Sequence, residues 1–327
     1  MISGEMIRVP YRELDEFTES VLTKLGISPE DARTVVEVLS QANLRGVDTH
    51  ATDLLPGYVQ RIRDGIVNRN PRMKVIREST VGMVIDADQA LGQVSTTFGM
   101  QQAINKAQSS GVGWVHVVNS NHNGALAYYA LMAAEQDMIG VATTTTIGCM
   151  APWGSLEPLL GNNPIAIALP CHHHDPLVLD IAFSEHVDGR VSLDKEAAVM
   201  QPFGGHKGSG LAIMLGLLCG VLAGQPFTGY RRGRSGRGPA EISHLLIAAD
   251  IASFSDVAEF KATVDETIES MKNSATSPGF DEVLVPGEIE WRRVADRQEN
   301  GIPLKAALVD ELFKIADEFD LKFPATG

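Results

Sequence analysis

The segment Pro202-Phe203-Gly204-Gly205-His206-Lys207-Gly208-Ser209-Gly210 runs straight into an apolar stretch of helical length, 211–224. A glycine-rich turn that opens an apolar helix constrains the fold strongly, because it fixes where one backbone can meet another. The first N–H groups of a helix lack intrahelical partners, and the dipole there is positive. Lys207 adds a full charge at the same end. Together these suit an anion, most simply a phosphate, and the glycines let it approach the backbone. The segment matches neither GxGxxG nor GxxxxGK[ST]. A plain tight turn before a buried helix accounts for the spacing equally well. Gly216, Gly220 and Gly224 recur every fourth residue, a bare stripe for another backbone, and the remainder reads as buried on all sides. The run falls short of the ~20 residues a bilayer requires.

The chain has 327 residues, a length suited to two domains or to one large one with an insertion. Its net charge of −14 argues against a nucleic-acid groove and against anionic membranes, while leaving room for a local positive pocket. Cys149, Cys171 and Cys219 form no CxxC pair and read as core thiols. A reducing cytoplasm is expected, and 1–10 show no apolar core of a signal peptide.

Along the chain, 11–25 and 28–44 read as helices, with Ser28 as N-cap and Pro29 at the first helical position. A polar turn follows, Arg45-Gly46-Val47-Asp48-Thr49-His50, and a third helix carries 58–64. His50 in such a turn is either a capping histidine or a general acid or base, since its pKa lies near neutrality. Strands are expected at 73–76, 81–86, 112–119, 139–145, 165–169, 177–182, 245–250 and 283–288. Helices are expected at 93–110, 125–136, 259–274 and 305–319. The loop Asn119-Ser120-Asn121-His122-Asn123-Gly124 lies between a strand and a helix, where α/β proteins hold ligands. His122 is the second candidate there. His172-His173-His174-Asp175 looks like a metal tract, but adjacent histidines do not converge on one ion, and a solvated hairpin tip is expected. Asp180 interrupts an apolar strand and needs a partner; a histidine would suit it. The basic stretch 229–238 is either a phosphate contact or a surface loop.

Several segments together resemble the malate/L-lactate dehydrogenase family of the non-Rossmann type, which includes ureidoglycolate and sulfolactate dehydrogenases, diketogulonate reductase and piperideine-2-carboxylate reductase. The anchors are 45–50, 120–124, Met150-Ala151-Pro152-Trp153-Gly154, Leu160-Gly161-Asn162-Asn163-Pro164, Leu179-Asp180-Ile181-Ala182, 203–210 and Pro286-Gly287-Glu288. The resemblance implies a three-layer α/β fold with intertwined segments: an N-terminal helical part (1–70), a cofactor and substrate core (71–250) and a C-terminal part returning to that core (251–327). It implies an oxidoreductase that moves a hydride between NAD or NADP and a small 2-hydroxy acid, 2-oxo acid or cyclic imine. It also implies a homodimer with sites near the interface, and no metal. His50 would be the proton donor or acceptor, oriented by Asp180, with His122 beside substrate and nicotinamide and with Thr49 and Tyr58 at the substrate. Ser120, Pro152, Asn162, Asp180, Ile181, Ala182, Ser184, His206, Lys207, Gly208, Pro286, Gly287 and Glu288 would contact the dinucleotide. Four departures stand out. Ala51 follows His50 in place of a glycine, and Leu54 occupies the place of a carboxylate-binding arginine. Asn123 replaces an aromatic, and the chain passes from Ser184 to Asp188 without a further helical stretch. The alternative that this opens is a non-catalytic relative that keeps fold and dimer but has lost cofactor binding.

Overall fold

The computed structural model describes residues 6–184, 200–228, 230–231 and 240–325. In chain order the elements are β1 (Met6–Val9), α1 (Tyr11–Lys24), α2 (Pro29–Arg45), α3 (Leu55–Arg63), β2 (Lys74–Glu78), β3 (Gly82–Asp86), α4 (Gly92–Ser110), β4 (Val112–Ser120), α5 (Ala127–Ala134), β5 (Met138–Thr144), β6 (Ile165–Leu169), β7 (Leu177–Ile181), α6 (His206–Cys219), β8 (Tyr230–Arg231), β9 (Ala240–Asp250), α7 (Val257–Lys272), α8 (Glu288–Asn300), β10 (Ile302–Lys305) and α9 (Ala306–Phe319).

A mixed sheet of order β2-β3-β4-β9-β5-β6-β7, with β8 on β9, forms the centre. Among the described strands of this sheet, β3 and β4 pair in parallel, across the α4 crossover, and the other pairs are antiparallel. Side chains alternate across a strand. On β4, Val115 and Val117 join Met100, Ala103 and Ile104 of α4 and Leu126 and Tyr129 near α5 in one core. The opposite register carries His116, which meets the backbone of Cys219 at the end of α6. Helices therefore cover both faces, giving the α/β three-layer arrangement expected.

The two ends of the chain build a second core. Ser28 caps α2 by accepting from the Asp31 N–H at 3.1 Å, with Pro29 behind it. Leu14, Leu22, Val35 and Leu39 of α1 and α2 pack with Leu55 and Ile62 of α3 and with Ile302, Leu304 and Leu312. β1 and β10 pair antiparallel beneath them. The last segment thus divides: β10 and α9 join the N-terminal helices, while Trp291 of α8 reaches the sheet core.

Three expectations change. Residues 283–288 form no strand; they are a turn leading into α8, where Gly287 has φ of +88° and Glu288 accepts from the Val285 N–H. α8 itself, rich in charge, was not anticipated. Nor is α6 buried all round: Ala212, Gly216 and Cys219 face inward, but Leu211, Met214 and Leu217 are exposed, as are Val221 and Leu222 in the 3-10 turn just past its end. The glycine stripe does its expected work at two positions, since a Cβ on Gly216 would lie 2.8 Å from the Phe227 ring and one on Gly220 would lie 2.5 Å from the Pro226 carbonyl. The stretch 170–176 is a turn between β6 and β7. It is held by Asp265 of α7, whose carboxylate accepts from the His172 and His173 N–H groups at 3.2 and 2.7 Å.

Candidate active site

Two loops converge where the N-terminal helices meet the sheet. After α2, the chain turns through a short 3-10 segment, Asp48–His50. Arg297 of α8 holds this turn by donating to Asp48 and to the Asn43 carbonyl. After β4, the second loop carries His122. The rings of His50 and His122 lie side by side, with centroids 5.7 Å apart and planes 30° apart.

The two imidazoles differ in surroundings. His50 Nδ1 shares a hydrogen bond of 2.9 Å with Thr49 Oγ1, which leaves Nε2 as the nitrogen available for chemistry. Burial lowers its pKa below the ordinary value. His122 is fixed more firmly. Its Nδ1 faces the Tyr58 hydroxyl at 2.8 Å and the Gly124 N–H at 3.3 Å. Because the backbone N–H must donate, Nδ1 is the acceptor and the proton sits on Nε2. Gln93 Nε2 donates to the Tyr58 oxygen at 2.7 Å, which orients that hydroxyl toward His122. Burial, His50 and Arg61 together push the His122 pKa down to about 3, so it is a neutral hydrogen-bond donor at pH 7.

Asp180 stands elsewhere. Its carboxylate accepts from the Ala127 N–H at 2.8 Å and from Leu126, at the start of α5. Negative charge is favoured there by the helix dipole. It is solvent-accessible yet surrounded by protein, as a residue lining a crevice is, and desolvation raises its pKa to about 6. The expected pair with His50 is not formed: the short helix N-terminus offers Asp180 its donors, and His50 takes Thr49. The nearby cation is Arg45, buried and stacked 4.4 Å over the Trp291 ring.

A second group of segments assembles around Met150, Leu160, Phe183 and Ala212. Met150 bridges to Leu160 and Met200, and Ser184 to Pro202. Phe183 stacks on Phe203 at 5.5 Å. Asn162 binds Thr146, while Asn163 Nδ2 donates to the Ala212 carbonyl at 2.9 Å and so locks α6 to this group. Ser209 Oγ accepts from the Trp153 N–H at 3.0 Å. Pro152, Asn162, Ala182, Ser184, His206, Lys207 and Gly208 are thereby brought to one place. Gly205 precedes α6 with φ of +61°, and the Lys207 side chain is exposed at the helix start. A cation, a helix N-terminus and glycines open on one side fit the phosphates of a dinucleotide; among the described residues, a Cβ at Gly204 or Gly210 would have no atom within 4 Å.

The sequence profile of the malate/L-lactate dehydrogenase family matches residues 9–198 and 187–313. The chain belongs to that family. Malate dehydrogenase of Pyrococcus horikoshii is 36% identical over 96% of this chain and 96% of its own. Its solved structure superimposes with a TM-score of 0.91, covering 99% of each chain at 35% identity. L-sulfolactate dehydrogenase of Methanocaldococcus jannaschii is 34% identical over 92% of this chain and 94% of its own. Ureidoglycolate dehydrogenase (NAD(+)) of Escherichia coli O157:H7 is 28% identical over 94% of each. Members named in this way are oxidoreductases acting at a CH–OH group, and this chain is one by family.

Within that family frame, the alignment to the Pyrococcus protein extends over 348 positions, at least 21 more than a chain of 327 residues can fill. Residues 185–199, which follow the point where the resemblance implies a missing stretch, lie outside the described part, as do most of 229–238. Other residues expected at the dinucleotide make the following contacts within the chain. Ser120 points inward, fully buried, with its hydroxyl 2.7 Å from Ser95 Oγ and 2.9 Å from His244 Nε2. Glu288 is bound to Lys272 of α7 and Arg292 of α8 at 2.6 and 2.5 Å, and Gly287 packs on Val178 of β7. Ile181 pairs with Ile165 in the sheet, and Pro286 accepts from the Val178 N–H. The sequence reading missed Gln93, Asn121, Arg61 and Gly92. A Cβ on Gly92 would fall 2.3 Å from the carbonyls of Asn121 and His122, so α4 presses directly on the loop that presents His122.

Proposed function

We propose that the protein is an NAD-dependent dehydrogenase of a small 2-hydroxy acid, with His50 exchanging the substrate proton. The paired imidazoles carry this reading: a histidine with an available Nε2 stands beside one held neutral. The nicotinamide, when bound, supplies or receives the hydride. In the oxidative direction, neutral His50 takes the hydroxyl proton at Nε2; in the reductive direction, its imidazolium gives that proton to the carbonyl oxygen. His122, through Nε2–H, donates a hydrogen bond to the same oxygen and orients it. Lys207 and the start of α6 hold the phosphates. NAD is favoured over NADP because the ureidoglycolate relative is named for NAD(+).

The test is oxidation of NADH by the purified protein against a panel of 2-oxo acids and cyclic imines, read at 340 nm. Turnover of at least one small 2-oxo acid is expected. The positions that this chain lacks in that alignment favour one other reading, a non-catalytic relative; a folded protein that neither binds NADH nor turns over any member of the panel would establish it.

The exposed apolar face of α6 belongs to the same proposal. With its first turn and the short 3-10 segment after it, the stretch His206–Ala223 is longer than the run read from the sequence and, by length and composition alone, could cross a membrane; one side of it packs on the protein's own sheet, and a second copy of the chain is the occupant proposed for the other side. A patch of this kind marks an interface. Sedimentation at micromolar concentration should show a dimer, and Leu217→Glu should shift it to monomer; a monomeric wild type would refute this part. Three free thiols accord with work in the cytoplasm.

A further inference from the structure

We infer that His244 of β9 is a positioning residue: its hydrogen bond to Ser120 holds the bend of backbone that aims His122. The inference rests on the dehydrogenase reading, in which His122 meets the reacting oxygen, and adds the buried group that keeps it in place.

The strand pairing supplies the reason. Side chains alternate along β4, with Val115 and Val117 on the α4 side and His116 on the α6 side. An unbroken strand would send Ser120 to the α6 side with His116, where the dinucleotide was expected. The register breaks first. Val117 pairs with His244 and Ser120 with Ile242, three steps on β4 against two on β9. Asn119 in this bulge has a φ of +56°, a left-handed conformation that Asn adopts more readily than most residues. One extra residue moves every later side chain to the other face. Ser120 therefore turns to the α4 side, where its hydroxyl meets Ser95 of α4 at 2.7 Å and His244 Nε2 at 2.9 Å. The next two residues are Asn121 and His122.

His244 is suited to hold that bulge. It shares a face of β9 with Ile242 and Leu246, in an otherwise apolar setting, and it is fully buried. A polar ring there is costly unless its nitrogens are bonded. Both are, since Nδ1 lies 2.8 Å from Thr144 Oγ1 of β5. Thr144 Oγ1 also reaches the Ser243 carbonyl at 3.2 Å, and Ser95 Oγ reaches the Gly92 carbonyl at 3.3 Å. A neutral ring has one N–H, so the chain Thr144–His244–Ser120–Ser95 is complete whichever way its protons run. Burial and the nearby His122 push the His244 pKa down to about 3, against the pull of the Asn121 backbone. The ring is thus neutral at pH 7, with both Asn121 and His122 in its electrostatic reach. Leucine at this position would match the apolar face but would leave the Ser120 and Thr144 hydroxyls without the ring between them. One hydrogen-bonded chain therefore ties β5, β9 and the start of α4 to the loop that presents His122.

The experiment measures kcat and the KM for NADH in the reduction of a 2-oxo acid that the wild type turns over. It compares His244→Leu, His244→Gln, Ser120→Ala, His122→Gln and the double variant His122→Gln/His244→Leu, each checked for its thermal midpoint. His244→Leu should lower kcat by about 10- to 100-fold, the scale of a displaced reacting group, and leave the KM for NADH unchanged. In His244→Gln the amide can bond Ser120 from the place of Nε2, and most of the loss should be restored. Ser120→Ala deletes the same bond at the cost of one oxygen; it should lower kcat likewise, and it carries the test if the leucine variant does not fold. A residue that acts through His122 adds nothing once His122 is replaced, so the double variant should match His122→Gln, whereas general damage to the fold would add in full. If His244→Leu and Ser120→Ala keep kcat within about threefold of wild type, or if the double variant shows both losses in full, His244 does not position His122; wild-type turnover then leaves the dehydrogenase reading standing. A folded wild type that turns over no 2-oxo acid overturns both.

Discussion

The two halves of the proposed site are built by different means. Around His122, side chains do the positioning: Gln93 orients Tyr58, Tyr58 orients His122, and Asn121 is pinned by two carbonyls. At the start of α6 the positioning is done by backbone: Gly205 in a positive-φ turn, the first turn of a helix, and one exposed lysine. The first half is a polar network among buried groups that leaves the His122 Nε2–H open toward the site. The second is open and depends on charge and on a helix end. Proton transfer needs a defined nitrogen within reach of one atom. Binding phosphates needs only convergent positive potential, and an open cradle provides it.

That contrast predicts separable failures. His50→Ala should lower kcat by about 10²- to 10⁴-fold, the range for loss of a general acid or base, while NADH titration shows unchanged affinity. Lys207→Ala should do the reverse: NADH affinity weakens by about tenfold, as for loss of one charge-assisted contact, and the pH profile of kcat stays as in wild type. A His50→Ala protein with weakened NADH binding, or a Lys207→Ala protein with a displaced pH profile, would break the division between the halves.

Much of this was legible in the sequence because it depends on local chemistry. Ser28-Pro29 announces the start of α2, and a polar loop after a β-branched run announces the setting of His122. What was not legible depends on three-dimensional partners. Arg61 looks like any surface arginine on an amphipathic helix until Asn121, 60 residues away, is seen to hold it. Gly92 is one glycine at a helix start; its role exists only because the His122 loop lies on it. Asp180 announced a need for a partner but not which one, and the N–H groups of α5 met that need. The apolar composition of α6 fits a core helix and an interface helix equally, so hydrophobicity alone could not distinguish burial in one chain from burial between two. The run at 283–288 had strand-forming residues, but Pro286 and Gly287 impose a turn, and Glu288 then opens a helix too polar to stand out by periodicity.

The central claim is that His50 carries the proton. It is tested most directly by the pH dependence of kcat/KM in both directions on one substrate pair. Burial places the His50 pKa below its ordinary value, near 6.5 for a free imidazole. Oxidation requires the neutral ring and reduction the imidazolium. The account predicts that oxidation rises and reduction falls through a single pKa below about 6.5, and that both limbs vanish in His50→Ala. Profiles that run in the same direction, or that persist unchanged without His50, would contradict it.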